Sequence, residues 1–451
     1  MPDFQATTLA VILLGTAVIA ACAWAVARGT WSRLLLLGII AGLLVYSGIG
    51  AAVPEVPAAY RVDYFALLLA IVFSYLFFER LFGAFSRRAG QALERAWDGM
   101  ESRRSWSALI WIYLLLHLVP LLYPAMRLGQ LLSPPMADVA TRLLERFSGE
   151  GTNPIAKLAE YAQWLLMPFA YIALYKLRRR MWAVMAVLLA VLYLRLADMG
   201  YLARSELGMA LLVVALALWV DRPRSRKRLL IASLALLPFL VTAFHLYSVV
   251  RMKGSVEGMT FGGSLAELVR QETSFPASVA APIMASQARV NLRDYMVWMV
   301  TLPVPKVLTG EIAGARINYE ISELIHNQNR GEAGWYIVLP GLVGESIYLL
   351  GGSFFWLHGI FIGFLAALVL ALVQSAPKAL FLLAYLVALF SYFLNRGGIA
   401  GVLPELVNSF MLFYLYLLAS VWRLAGSEGR KPGGGPAPNH PLAPAAPGGR
   451  P

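Results

Sequence analysis

The sequence predicts an all-α, polytopic membrane protein of about eleven transmembrane helices. Its 451 residues are 59% hydrophobic and only 14% charged, where soluble domains run at about 45–50% apolar and about 25% charged. Mean hydropathy is +0.66. Apolar runs of about 20 residues, long enough to cross a ~30 Å hydrocarbon core, recur from end to end. A β-barrel is excluded, since barrel strands read as short alternating segments.

The first run, 7–27, has neither a basic leader nor a small-residue cleavage site, and reads as a retained helix rather than a signal peptide. It holds Cys22, the only cysteine, so the chain has no intrachain disulfide and no CxxC metal site. Further spans fall at 34–53, 64–83, 107–126, 158–175, 181–197, 205–220, 229–249, 353–373, 379–395 and 403–422. The loop 84–106 is amphipathic and mixed in charge, and is expected to lie on the membrane surface. The loop 127–157 contains Pro134-Pro135 and a short helix-like stretch. The loop 250–334 is too long for a passive connector. Within it, 264–272 and 313–328 read as short amphipathic helices. Residues 278–301 dip toward the interface before the stop LPVPK at 302–306. No internal repeat is visible. Residues 425–451 form a Pro/Gly/Ala tail, expected to be disordered, so 1–424 make up the transmembrane domain.

Loop charge sets the expected sidedness. Alternate loops and the C-terminal tail carry 22 of the 38 basic and six of the 25 acidic residues. Basic short loops mark the cytoplasmic side, which puts the N-terminus outside and the C-terminus inside. The net +13 then divides into +16 inside and −3 outside. The basic excess is a topology signal facing anionic lipid, and gives no reason to expect nucleic acid. The same alternation leaves no crossing for 335–352. That stretch is apolar but contains Pro340, Gly341, Gly344 and Glu345, and is expected to enter from outside without crossing, or to be broken. Irregular backbone at membrane depth survives only inside protein or beside a wet cavity.

Cations on the acidic outer face have no topological purpose, and the candidate site is placed there. Arg204 opens a helix in a very short turn that also holds Arg195 and Asp198. The long loop adds Arg289, Arg293, Lys306, Arg330 and His326. The broken segment adds Glu345 and Tyr348. Converging guanidiniums suit a phosphate or pyrophosphate, because each stays charged and offers a planar fork to paired oxygens. Plainer roles are open for several neighbours. Arg195, Arg251 and Lys253 fit interfacial anchors, and Arg316, Glu320 and Glu323 fit i,i+4 pairing on a solvated helix. His117 and His245 lie in spans, where a lone His is usually a hydrogen-bonded packing residue. No HxH, HExxH, DxD, phosphate-loop, Rossmann or GxSxG motif occurs, so neither a metal site, a cofactor nor nucleotide hydrolysis is expected.

This layout resembles the Wzy-type O-antigen and oligosaccharide repeat-unit polymerases. The resemblance lies in the short Arg-bearing outer turn and its helix (202–218), the Pro-rich stop ending in Lys306, and the string Glu345-Ser-Ile-Tyr348-Leu-Leu-Gly351. It covers 180–375 in detail and the remainder in hydropathy. The resemblance implies a membrane glycosyltransferase of GT-C type in the bacterial inner membrane, acting at its outer face. It would transfer the glycan on one undecaprenyl pyrophosphate to a single repeat unit on another. A chain-length regulator of the Wzz type is the protein partner it implies. Pyrophosphate leaves without a proton if its developing charge is neutralised, a role for Arg204, Arg289, Arg293 and Arg330, with Lys306. The acceptor hydroxyl needs a base, for which Glu345 and then His326 are the candidates, with Tyr348 contacting substrate. An O-antigen ligase-like or SEDS-type enzyme on the same scaffold, and a transporter for the same lipid-linked glycans, are the alternatives.

Overall fold

The computed structural model describes residues 5–101, 105–123, 126–133, 154–200, 204–221, 223–228, 275–286, 289–302, 317–329, 337–374 and 380–407, with isolated positions elsewhere. Most of the expected span 229–249, the expected helix 264–272 except Glu272, Lys306, Arg330 and the tail 425–451 lie outside the described residues. Among the described residues every regular element is helical. In order they are α1 (Ala6–Val26), α2 (Thr30–Leu43), α3 (Ala58–Leu81), α4 (Gly83–Glu101), α5 (Ser105–Leu122), α6 (Pro154–Lys176), α7 (Met181–Met199), α8 (Arg204–Asp221), α9 (Phe275–Ser286), α10 (Leu292–Thr301), α11 (Ile317–His326), α12 (Gly341–Val373) and α13 (Leu380–Ala388).

Six described stretches are long and apolar enough to cross a membrane: Ala6–Val26, Thr30–Ala52, Ala58–Leu81, Met181–Met199, Gly341–Val373 and Leu383–Val407. The chain is therefore an all-α membrane protein of several spans. Its surface agrees with that environment. On α1, Val11, Leu14 and Val18 are exposed, an arrangement suited to lipid and costly in water.

In a bilayer, lipid tails are as apolar as leucine, so helix association relies on close packing and hydrogen bonds. Two glycine pairs spaced GxxxG supply both. Gly359 and Gly363 of α12 face α3. A Cβ on Gly363 would overlap the Ser74 hydroxyl and come 2.6 Å from the Ile71 carbonyl oxygen. In this contact the Ser74 hydroxyl donates to the Ile71 carbonyl of its own helix at 3.1 Å, with the Gly359 carbonyl as a second acceptor at 3.4 Å. Gly359 meets Leu67, Gly363 meets Ser74, and Phe364 stacks edge-on to Phe78, so α3 and α12 run parallel; beyond α12, Gln374 donates to Ser86 of α4 at 2.9 Å. Gly38 and Gly42 of α2 admit Ser391 and Asn395 in the same way.

The helix that continues α13 carries a π-bulge at Leu389–Phe393. Such a bulge displaces carbonyls from the regular ladder. Here the buried Asn395 amide nitrogen donates to the Phe390 and Ser391 carbonyls, at 3.0 Å each, and so supplies the carbonyls at the bulge with a donor.

Because Gly363 leaves no room for a side chain, Gly363→Ala should lower stability by about 1–3 kcal/mol, the usual cost of overpacking. Gly352→Ala, with nothing within 4 Å of its added carbon, should be neutral or slightly stabilising. Thermal unfolding of the two detergent-solubilised variants checks the difference.

Candidate functional site

Two reversals of the chain shape the site. The first is at Gly351, whose φ of 78° and ψ of 170° break α12 into limbs 341–350 and 352–373. Ser346 Oγ lies 2.8 Å from His358 Nδ1 although twelve residues separate them. A straight helix would hold those positions about 18 Å apart. The first limb is thus folded back on the second. The Ser346 hydroxyl donates to the Leu342 carbonyl at 2.7 Å, so it accepts from His358 Nδ1–H.

The second reversal is at Gly398, with φ of 66°. A Cβ on Gly401 would lie 3.6 Å from the Phe393 carbonyl oxygen, eight residues earlier, where a straight helix would leave about 12 Å. The helix restarting here exposes its first amides, which need acceptors. Glu345 supplies them: Ile399 N–H donates to Oε2 at 2.6 Å and Ala400 N–H to Oε1 at 2.8 Å. The carboxylate is fully buried. A Cβ on Gly398 would overlap it, so glycine is required both for the backbone angle and for the approach.

Around the first reversal the loop residues close in. The Arg289 guanidinium lies against Gly351, its Nε 2.8 Å from where a Cβ would be. Val290 N–H donates to the Tyr348 carbonyl at 3.2 Å, and the Tyr348 hydroxyl donates to Glu320 Oε2 at 3.1 Å. Burial raises the Glu320 carboxyl above its ordinary range, while the Tyr348 bond pulls it back. Arg293 is exposed on α10, whose N-terminus Asn291 caps by accepting from Arg293 N–H at 3.0 Å. On the same helix Tyr295 is buried. Burial first, and then the charge of nearby Glu345, raises its phenol well above the ordinary range.

Of the residues expected from sequence, Arg289 and Tyr348 meet at Gly351, and Glu345 lies on the same limb as Tyr348. Arg293 is four residues beyond Arg289, in the first turn of α10, and His326, partly buried, ends α11. Arg204 is the first residue of α8. Glu345, expected as a proton acceptor, is fully buried with both oxygens accepting from backbone amides.

Sequence inspection missed Arg396. Its Nε is 3.1 Å from Glu272 Oε2, and its guanidinium lies 5.8 Å from the Tyr392 ring centre, so the long loop is tied to the bundle beside Gly398. The string Asn395-Arg396-Gly397-Gly398, two polar residues and two glycines in an apolar run, is the signal that could have found it.

A cavity of about 210 Å³ opens between α5, α6, α7, α8 and the α13 helix, lined by His117, Gln163, Arg195 and Glu405 among aromatic residues. Arg195, for which an anchoring role was open, faces this cavity. His117 Nδ1–H donates to the Tyr113 carbonyl at 2.8 Å, a packing bond. One turn beyond Arg195, Asp198 pairs with Arg127 at 3.0 Å. Among the described residues no three His, Cys, Asp or Glu side chains converge on a metal position. No family model, curated protein or solved structure matches the chain.

Replacing the Glu345 carboxylate by an amide turns one acceptor into a donor facing an N–H. Glu345→Gln should therefore cost about 1–3 kcal/mol in thermal or denaturant unfolding, and Gly398→Ala at least as much. The raised Glu320 carboxyl resists ionising in the fold. Native stability should then fall as pH rises from the ordinary carboxylate value of 4.5 toward the raised one. Melting curves across pH should show that slope in the wild type and its loss in Glu320→Gln.

Proposed function

We propose that this protein polymerises undecaprenyl-pyrophosphate-linked oligosaccharide repeat units at the outer face of a bacterial inner membrane. It does so as an eleven-span glycosyltransferase with its N-terminus outside and its C-terminus inside. The observation that carries this reading is the placement of Arg289, exposed, against the Gly351 reversal, with Arg293 exposed four residues on in the first turn of α10. A cation held at a broken intramembrane helix, on the face that is acidic overall, has no role as a topology anchor. It fits an anion that must be held as it leaves.

In this reading Arg289 and Arg293, with Arg204, Lys306 and Arg330, neutralise the pyrophosphate of the donor lipid as the glycosidic carbon–oxygen bond breaks. The acceptor sugar hydroxyl attacks that carbon and gives up its proton. Glu345 is engaged as a helix cap, so it serves as a positioning residue that fixes the two reversals. The proton then passes to His326, on the helix whose Glu320 holds Tyr348. The donor brings its own activation, and no cofactor is required.

The test is turnover on purified lipid-linked repeat units. Arg289→Ala should slow chain extension by about 10²-fold or more, the scale of losing one group that stabilises developing charge, with folding unchanged. A ladder on undecaprenyl pyrophosphate marks a polymerase, and glycan moved to lipid A core marks a ligase instead. Wild-type rates in both Arg289→Ala and Arg204→Ala would sink the assignment.

A further inference from the structure

The cavity between α5, α6, α7, α8 and the α13 helix is separate from the Gly351 reversal, and nothing above gives it a role. Its polar groups define what it can hold. Gln163 is 2% exposed and lines the cavity. Its Nε2 donates to the Leu116 carbonyl at 2.8 Å. A carbonyl only accepts, so the amide nitrogen must face Leu116 and Oε1 must face away from it. That Oε1 is buried with no partner. A buried acceptor left unmade costs about 1–3 kcal/mol, so it calls for a donor from outside the protein.

The neighbours narrow the class. The His117 bond to Tyr113 fixes its proton on Nδ1 and makes Nε2 the ring's acceptor. Arg195 and Glu405 bring opposite charges to the cavity wall, so the pair presents no net charge. A wall with no net charge, on which Gln163 Oε1 and His117 Nε2 are acceptors, disfavours a phosphate and favours a neutral group rich in hydroxyl donors. Trp164 and Tyr171 offer flat apolar faces beside them. The volume of about 210 Å³ is below the ~300–1,000 Å³ of pockets for drug-sized ligands, which suits a single ring.

We infer that this cavity is a binding site for one neutral sugar residue, held by hydroxyl donation to Gln163 Oε1 between the Trp164 and Tyr171 faces. The choice of a sugar among polyhydroxylated groups rests on the proposed function. The polar wall itself does not.

Saturation-transfer NMR on the full-length protein in detergent, with a panel of methyl hexosides as probes and methylenediphosphonate, a pyrophosphate analogue with observable CH2 protons, as the contrasting probe, tests it. At least one hexoside should receive saturation from the wild type. Gln163→Leu should cut that signal by about tenfold, as expected when a site loses its hydrogen-bond partner for a ligand hydroxyl. Trp164→Ala, at a partly exposed position that does not carry the Leu116 bond, should cut it as well and covers the case in which Gln163→Leu fails to fold. No hexoside signal in the wild type means a water-filled cavity and overturns the inference. So does a signal unchanged in both variants, or saturation of methylenediphosphonate alone that Gln163→Leu or Trp164→Ala abolishes. Hexoside binding that depends on Gln163, in a protein that extends no lipid-linked repeat unit, would uphold the cavity and sink the polymerase. Full-rate extension by a wild type that binds no hexoside would do the reverse.

Discussion

Inside hydrocarbon a backbone amide has no water to turn to, so a helix can stop there only where the protein supplies the missing partner. In this chain that partner is Glu345. One limb of α12, folded back at Gly351, carries the carboxylate to the place where a second helix restarts after Gly398, and its two oxygens take the first two amides. Each reversal depends on the other. Without the fold at Gly351 the carboxylate would not reach Ile399, and without the restart at Gly398 a fully buried carboxylate would have no donors. Arg289, Tyr348 and Arg396 are placed by this joint: Arg289 lies against Gly351, Tyr348 stands three residues before that reversal, and Arg396 two residues before Gly398.

The joint also explains how a bundle so apolar keeps polar chemistry in one region. Among the described residues, Glu345 and Asn395 are tied to backbone groups that a break has exposed, and Gln163, Arg195 and Glu405 gather at one cavity. Regions of irregular backbone and regions of polar side chains coincide because each makes the other affordable.

What could be read from the sequence follows from which signals are local. Membrane character and helical class rest on composition and run length, which need no tertiary information. The segment with Pro340, Gly341 and Gly344 stood out because an apolar run rarely carries that punctuation. The role of Glu345 was not legible. A carboxylate near the membrane with no partner nearby in sequence suggests reactivity, yet its partners are amides more than fifty residues away. Gln163 was passed over for the complementary reason. A single glutamine in a span looks unremarkable until the Leu116 carbonyl fixes which end of its amide is left over. The two GxxxG pairs were visible as strings, but which helices they face depends on the fold.

The parallel contact between α3 and α12 bears on how the protein is made. Ser74 and the Gly359 carbonyl that it meets are 285 residues apart. At about 5–20 residues per second of synthesis, α3 waits roughly 15–60 s in the membrane before its partner emerges from the ribosome. During that interval the Leu67–Ser74 face of α3 and the glycine face of α2 are bare to lipid or to whatever insertion factor shelters them. Assembly of the central bundle is thus a late event in biogenesis, completed only after nearly the whole chain has been delivered to the bilayer.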